Sequence, residues 1–463
     1  MQNNLILNIE KFVEDTKKII RKEKYEIYDE YHVLKNYIKN HQLAYNNFNK
    51  IFNDNIFIFD SYRDLYEKYS SGKLELLIIL ILIIFINIIY ITLFHSLGDT
   101  IGFKNGEWEF NMGEKNVSPE YVNELIYNYI SIGADISTIN FSSWKASDDT
   151  LFYYETFKVL LENYDNLDYQ NFGEKLREAY LRLYNELEDT SEIRAPGKTT
   201  MESLRTQRNI KWNELPYNPD NKGAGPASRA GCIGIFLNHD NNKEMFAAYC
   251  DTCSRITHNS GIAILGAYTA ALFTYFSISK VNVNLWPFIL LENLKDGYID
   301  KHIKNTRPHE YSLFMRDKVI FMSQWEKYIN FRFHGQNPRT DLKFITNLVL
   351  RYKYLSENFS KGHTDFAGSC GDDSVIMAYD ALLSSDNIQK LVYYAALIPG
   401  DSDTVAALAF SWFAGIKNTF IDNYMLSHYI RYMEYYNKYL ALFANNMTTF
   451  IKIILKYYRI PSD

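Results

Sequence analysis

Cysteine is scarce in this chain, with Cys232, Cys250, Cys253 and Cys370 the only four in 463 residues. That is too few for a disulfide scaffold and suits a reducing compartment, so a cytoplasmic location is expected. Cys250-x-x-Cys253 has the look of half a zinc or redox motif, but no second Cys/His pair stands at zinc spacing. Its flanks, Ala-Ala-Tyr and Ser-Arg, read as helix, and two buried helical cysteines are expected. An excess of one charge sign is lacking as well. The net charge is −6, from 49 basic and 55 acidic residues, and the basic ones are scattered. Such a chain presents no electrostatic case for a nucleic-acid partner. Nothing at the N-terminus resembles a cleavable signal peptide, since the first stretch is amphipathic and charged. Period-two alternation is scarce, and there is no internal repeat.

What is present is a large, aromatic-rich chain, 16% Phe, Tyr and Trp, expected to be folded over most of its length. Residues 1–73 are rich in Asn, Lys, Tyr and Ile, contain no Pro, and are nearly balanced in charge. Leu5, Ile9, Phe12, Val13, Ile19 and Ile20 fall at helical spacing, so this part is read as an N-terminal helical extension without assigned chemistry. Residues 76–94 then form an almost unbroken apolar run, close to the roughly 20 residues that cross a bilayer. Asn87 sits near its middle and Glu75 at its edge, and neither flank has a basic excess to set a topology. The run also leads straight into His95-Ser96-Leu97-Gly98-Asp99. A buried core helix is the expectation, with a membrane tether through 76–94 as the competing one. Beyond residue 110, segments such as 151–164, 172–187, 261–277 and 405–416 carry apolar residues three and four apart, and the fold class expected is all-α.

Two acidic clusters stand out, Ser147-Asp148-Asp149-Thr150 and Asp401-Ser402-Asp403-Thr404. Each precedes a helical run, so a hydroxyl or carboxylate can cap that helix. Capping alone would account for either cluster. Two of the same design, each presenting carboxylates from a helix start, are also what a shared binuclear site requires. Hard divalent cations favour such oxygen sets, and two of them about 3.5–4 Å apart activate one water. Two glycine-containing stretches accompany the clusters: Ser96-Leu97-Gly98-Asp99 at the end of the apolar run, and Gly223-Ala224-Gly225. Neither is a P-loop, because no Gly-Lys-Ser/Thr follows.

Taken in order, these pieces resemble the ADP-ribosylglycohydrolases. The order is Ser-Leu-Gly-Asp-x-x-Gly with Lys-Asn-Gly-x-Trp-Glu-Phe, then Ser-Asp-Asp-Thr, Arg-Ala-Pro-Gly and Gly-x-Gly-x-x-x-Arg-x-x-Cys-Ile-Gly. Arg-x-Thr-His, Ala-Tyr-Asp-Ala and Gly-Asp-Ser-Asp-Thr follow, and the branch most resembled is the ADP-ribosylarginine hydrolases. The resemblance spans about residues 84–440, and implies one all-helical catalytic domain, taken as 74–455, with two Mg2+ ions in a cleft. It implies metal ligands at Ser147, Asp148, Asp149, Asp401, Asp403 and Thr404, with Glu109 as an additional carboxylate at the centre. Catalytic roles would fall to Asp148, Asp149 and Glu109, with Asp149 or Glu109 as base. The loop with Gly368, Ser369 and Gly371, and Asp373 after it, resembles the segment that contacts ADP-ribose. His258, in Arg-x-Thr-His, is read as a structural histidine.

The activity so implied is Mg-dependent hydrolysis of the N-glycosidic bond between ADP-ribose and protein arginine, by a monomer whose partner is an ADP-ribosylated protein or ADP-ribose conjugate. Three departures fall near the ligand: Lys222 replaces the first of two glycines, Asp372 a histidine before Asp373, and Ile398-Pro399 the histidine before Gly-Asp-Ser-Asp. They open the alternative of hydrolysis of another linkage (serine or O-acetyl-ADP-ribose); an alternative from a different class is a silent ADP-ribose-binding relative, against which the retained carboxylates argue.

Overall fold

The apolar run at 76–94 forms the body of a 31-residue helix that continues to Phe103. In this computed structural model, residues 15–18, 73–110, 118–166, 168–189, 193–333, 345–360, 366–417 and 430–457 are described. The helical extension expected before residue 73 therefore lies, apart from 15–18, outside the described residues. Among the described residues there is no strand; the only bridges are the isolated pairs Gly223 with Cys370 and Ala367 with Gly400. The fold is all-α.

In chain order, the helices that position the site are α1 Lys73–Phe103, α2 Asp148–Glu162, α3 Tyr169–Leu187 and α4 Lys243–Arg255. They continue with α5 Gly261–Ile278, α6 Tyr311–Phe333, α7 Asp373–Ser384 and α8 Ser402–Lys417. Helices α1 and α5 are apolar on all sides, the pattern of a helix surrounded by other helices or by lipid. Both are long and apolar enough to cross a membrane, and 94% and 100% of their apolar windows, respectively, are buried within the fold. Asn87, the polar interruption of the α1 run, is buried and donates to the Gly415 carbonyl of α8 at 3.4 Å.

Gly98 and Gly102, four residues apart, lie on one face of α1. A Cβ at Gly98 would stand 2.3 Å from the carbonyl oxygen of Ala406, and one at Gly102 2.4 Å from that of Ser402. Helix α8 thus crosses α1 at backbone contact, and the Ser402 hydroxyl donates to the Gly102 carbonyl at 2.8 Å. At the far end of α8 a Cβ on Gly415 would meet Ser277 Oγ of α5 at 2.3 Å. These three helices form the centre of the molecule.

The aromatic content is largely core. Phe273 of α5 meets Trp286, Trp325, Tyr379 and Trp412 with ring centroids 5.1–5.6 Å apart. Buried polarity is paired: Asp380, in the Ala-Tyr-Asp-Ala segment of α7, accepts Arg332 Nε at 2.6 Å, Arg351 Nε at 2.9 Å and Tyr328 Oη at 2.9 Å. Burial works against its charge, but the two guanidinium groups outweigh burial and hold its pKa below the ordinary value. That segment of the motif is structural. Cys250 and Cys253 are free thiols buried in α4, as the helical flanks implied.

Alanine is the better helix former by about 1 kcal/mol where glycine is exposed, but here the added methyl meets backbone. Gly102→Ala is expected to destabilise the protein by about 1–3 kcal/mol through overpacking, read as a lower urea midpoint. An unchanged or raised midpoint would contradict the contact.

Candidate metal centre

The first cluster is held by a residue that the pattern of acids alone did not single out. Ser147 caps α2, its hydroxyl accepting from the Asp149 amide at 3.1 Å. The same hydroxyl donates to Asp99 Oδ1 at 2.6 Å, the Ser147 amide lies 3.1 Å from Asp99 Oδ2, and the Thr150 hydroxyl also bonds Oδ2. Asp99, fully buried near the end of α1, therefore fixes where α2 starts. The Asp148 amide donates to the Arg194 carbonyl at 2.9 Å. Arg194, of Arg-Ala-Pro-Gly, forms a two-pronged pair with Glu434 at 2.7 and 2.8 Å and bonds the Ala146 carbonyl at 2.8 Å.

The second cluster opens α8. The Asp401 amide donates to the Ala367 carbonyl at 2.9 Å, and the Thr404 amide to Asp403 Oδ1 at 2.9 Å. Glu109 joins it from the turn after α1. Trp108 is buried edge-on to Tyr129 and Trp144, and the Phe110 amide donates to the Gly400 carbonyl at 2.7 Å. Phe110 has φ +49°, a left-handed conformation that a bulky residue adopts only under such constraint. One oxygen each from Glu109, Asp401 and Asp403 lie within 4.8 Å of one another.

The two halves meet at Asp149. Its Oδ1 accepts the Ser228 hydroxyl and its Oδ2 the Thr404 hydroxyl, both at 2.5 Å. Both hydroxyls assigned as ligands, Ser147 and Thr404, thus make hydrogen bonds within the centre; each oxygen still has a lone pair for a cation. Asp148 is the most open of the acids and has no side-chain hydrogen bond among the described residues. The Glu109 carboxylate, though buried, has none either.

Gathering these acids shifts all of their titrations. Burial is the largest cause for Glu109, Asp148, Asp401 and Asp403, and neighbouring carboxylates add to it, so each is raised well above the ordinary value. Asp99 is raised to about 7 by burial and by Asp149, against the hydrogen bonds it accepts. Asp149 is raised by burial, with Ser228, Thr404 and Arg229 opposing. The Asp401 charge is, after burial, the largest cause of the rise at Asp403. Arg229 is the fixed counter-charge. It is buried over the Phe152 and Tyr180 rings and donates to Thr257 Oγ1 at 2.5 Å and the Cys253 carbonyl at 3.0 Å. An all-oxygen set that repels itself in this way fits a hard divalent cation, which relieves the repulsion without bringing in a proton.

Backbone hydrogen bonds tie the surrounding loops into a row. The Gly371 amide donates to Lys222 and the Ala224 amide to Ser369, at 2.8 and 2.9 Å, and Asp401 and Phe110 continue the row through Ala367 and Gly400. This gives the residues assigned to ADP-ribose contact structural work. Asp373 accepts the Gly368 amide at 2.9 Å and the Cys370 amide at 2.8 Å, one on each carboxylate oxygen. Gly371 is required by packing, since a Cβ would stand 2.6 Å from the Ile262 carbonyl of α5. Ser369 is partly exposed, and its hydroxyl donates to the Phe366 carbonyl at 2.8 Å. His258 packs against Gly223, where a Cβ would be 2.9 Å from its Nε2, and burial followed by Arg229 lowers its pKa to about 3. His95 is also held neutral by burial, near 4, and donates to the Ser228 carbonyl at 2.6 Å.

The sequence profile of the ADP-ribosylglycohydrolase family matches residues 95–414, from His95 beside the first cluster to α8. The chain belongs to that family. A protein of Acanthamoeba polyphaga mimivirus named as an ADP-ribosyl glycohydrolase is 50% identical over 351 residues, which are 74% of this chain and 66% of the viral protein. The ADP-ribosylhydrolase ARH1 of Dictyostelium discoideum is 29% identical over 346 residues, 70% of this chain and 85% of that one. A solved chain described as an ADP-ribosylglycohydrolase-related protein complex overlaps 79% of this chain and 97% of its own length at TM-score 0.47 and 12% identity. The family supports a hydrolase that acts on ADP-ribosylated substrates. Within this glycohydrolase, Asp99 and Arg229 are specified positions of the quoted family motifs and Ser228 an unspecified one, but the roles of all three depend on contacts between helices far apart in sequence.

Two outcomes follow for the centre. Asp99→Asn would set an amide donor against the Ser147 and Thr150 donors, and should cost about 1–3 kcal/mol of stability in urea unfolding. It should also weaken Mg2+ binding measured by calorimetry. As for pH, a carboxyl whose pKa is raised by folding binds protons more tightly in the native state. Its stabilising contribution is complete below the unfolded value and is lost as pH rises, for Asp99 from its ordinary 3.8 to about 7. A cation that replaces those protons should therefore raise the melting temperature more at pH 8 than at pH 5. An equal rise at both would count against cation binding at these acids.

Proposed function

We propose that this glycohydrolase removes ADP-ribose from protein arginine, using two magnesium ions held by Asp148, Asp149, Asp401, Asp403, Thr404 and Glu109, with Ser147 beside them. The observation that carries the reading is the meeting of three carboxylates from two separate chain segments, Glu109, Asp401 and Asp403, within 4.8 Å. The arginine linkage rests on the resemblance of the ordered motifs to the ADP-ribosylarginine hydrolases. The Dictyostelium relative named ADP-ribosylhydrolase ARH1 supports a hydrolase of that general kind.

Bound magnesium would supply Lewis acidity toward the ribose hydroxyls and the attacking water. The chain's own groups do the rest. Asp149 is oriented by the Ser228 and Thr404 hydroxyls, so it is a rigid ligand more than a proton acceptor. Glu109 has neither oxygen engaged by a hydrogen bond among the described residues and a raised pKa, which suits it to take the proton of the water. The C–N bond from the anomeric carbon to the guanidino nitrogen breaks with oxocarbenium character, water oxygen bonds that carbon, and the proton ends on the basic leaving guanidine. Asp148, more open than the others, is placed to contact the sugar.

The test is release of free ADP-ribose from arginine-linked and serine-linked substrates, with and without magnesium. Release from arginine that stops on chelation is expected, and release from serine alone would overturn the linkage. Glu109→Gln should lower kcat by about 10²–10⁴, the usual range for a general base, and Asp149→Ala should abolish turnover. Full activity in both would refute the centre.

A further inference from the structure

A cavity of about 680 Å3 opens beside the C-terminal end of α4 and shares no residue with the acidic centre. Its size is that of small-molecule sites, roughly 300–1,000 Å3. Tyr169 at the start of α3, Trp212, Arg255 at the end of α4, His302, Arg307 and Glu310 are among its walls.

Two buried arginines, Arg255 and Arg307, face two buried carboxylates, Asp251 and Glu310, in this cavity, but their hydrogen bonds are unevenly shared. Asp251 accepts Arg307 Nη2 at 2.6 Å and lies 3.1 Å from His302 Nε2. Glu310 lies 3.0 Å from Arg307 Nε and accepts the Asn259 side-chain amide at 3.2 Å. Asp251 is thus hydrogen-bonded by Arg307, whereas the contact between Arg307 Nε and Glu310 Oε2 is an ion pair in which neither atom has a hydrogen-bond partner. Arg255 has no comparable partner: among the described residues no hydrogen bond or ion pair reaches its guanidinium, and Nε is buried and unsatisfied. The residue is 4% exposed, with its guanidinium 5.8 Å from the centroid of the Trp212 ring. Burial, then Arg307, lower its pKa to about 10 against the pull of Asp251 and Glu310, which leaves it charged at neutral pH. Asp251 and Glu310 balance its charge without bonding it, and buried guanidinium N–H groups that lack acceptors remain costly unless the cavity beside them supplies one.

We propose that this cavity binds a small oxyanion, a phosphate or carboxylate group seated on the free fork of Arg255 against Trp212. The planar guanidinium offers parallel N–H donors that match either group, and the indole gives the body of such a ligand an apolar wall.

Calorimetry on the full chain, with inorganic phosphate and with benzoate as separate titrants at constant ionic strength, tests the site and tells the two sources apart. Saturable binding of at least one is expected, weakened tenfold or more in Arg255→Met and unchanged in Asp149→Asn, which alters the acidic centre alone. No heat from either anion, equal affinity in Arg255→Met, or loss in Asp149→Asn would overturn the proposal. Circular dichroism checks that Arg255→Met folds. Should it not, Thr306→Trp at the exposed rim blocks the cavity while leaving Arg255 in place, and undiminished binding in that variant would equally refute the site.

Discussion

Backbone contact between α1 and α8 at Gly98 and Gly102 is the constraint on which the centre depends. The carbonyls of Ser402 and Ala406 occupy the space where side chains would stand on α1. Asp99 lies between those glycines, and Asp401 and Asp403 flank Ser402, so the two acidic segments are brought together by the same crossing. Side chains of ordinary size would hold helix axes about 8–10 Å apart and separate the two halves.

From that contact the rest of the site is built by local hydrogen bonds. Asp99 fixes the start of α2 through Ser147 and Thr150, and Asp149 then receives hydroxyls from Ser228 and Thr404. The row of loop bonds from Lys222 to Phe110 holds Glu109 against Gly400. The outcome is a group of mutually repelling acids in a rigid frame, and Arg229, the fixed cation near them among the described residues, is committed to its own buried partners. Such a frame favours charge supplied from outside, and the same repulsion that raises the pKa values draws a divalent cation.

Conserving charge in the interior is handled differently elsewhere in the molecule. Asp380 is matched by two arginines and a tyrosine, and Asp251 by Arg307 and His302. Arg255 differs from these ions in that no hydrogen bond reaches its guanidinium among the described residues, and it borders a cavity. The acidic centre differs from the other buried carboxylates in gathering charges of one sign.

Sequence alone determined the helical class, the buried character of Cys250 and Cys253, the capping of α2 and the two acidic clusters, because each depends on spacing within a few residues. The ordered motifs also pointed to the family. Tertiary structure decided the rest. Asp99 appears in sequence as part of a turn, and only the fold makes it the acceptor that orients the first cluster. Asp373 and Gly371 stand in a loop that resembles the one contacting ADP-ribose, and only the fold shows that Asp373 also accepts that loop's amides and that Gly371 packs against α5. Arg255 read as one letter of Arg-x-Thr-His, and that no hydrogen bond reaches its guanidinium among the described residues depends on which residues Arg307 engages, over fifty positions further along the chain. Spacing records what a segment can do by itself, but pairing between distant groups exists only once the chain has closed upon them.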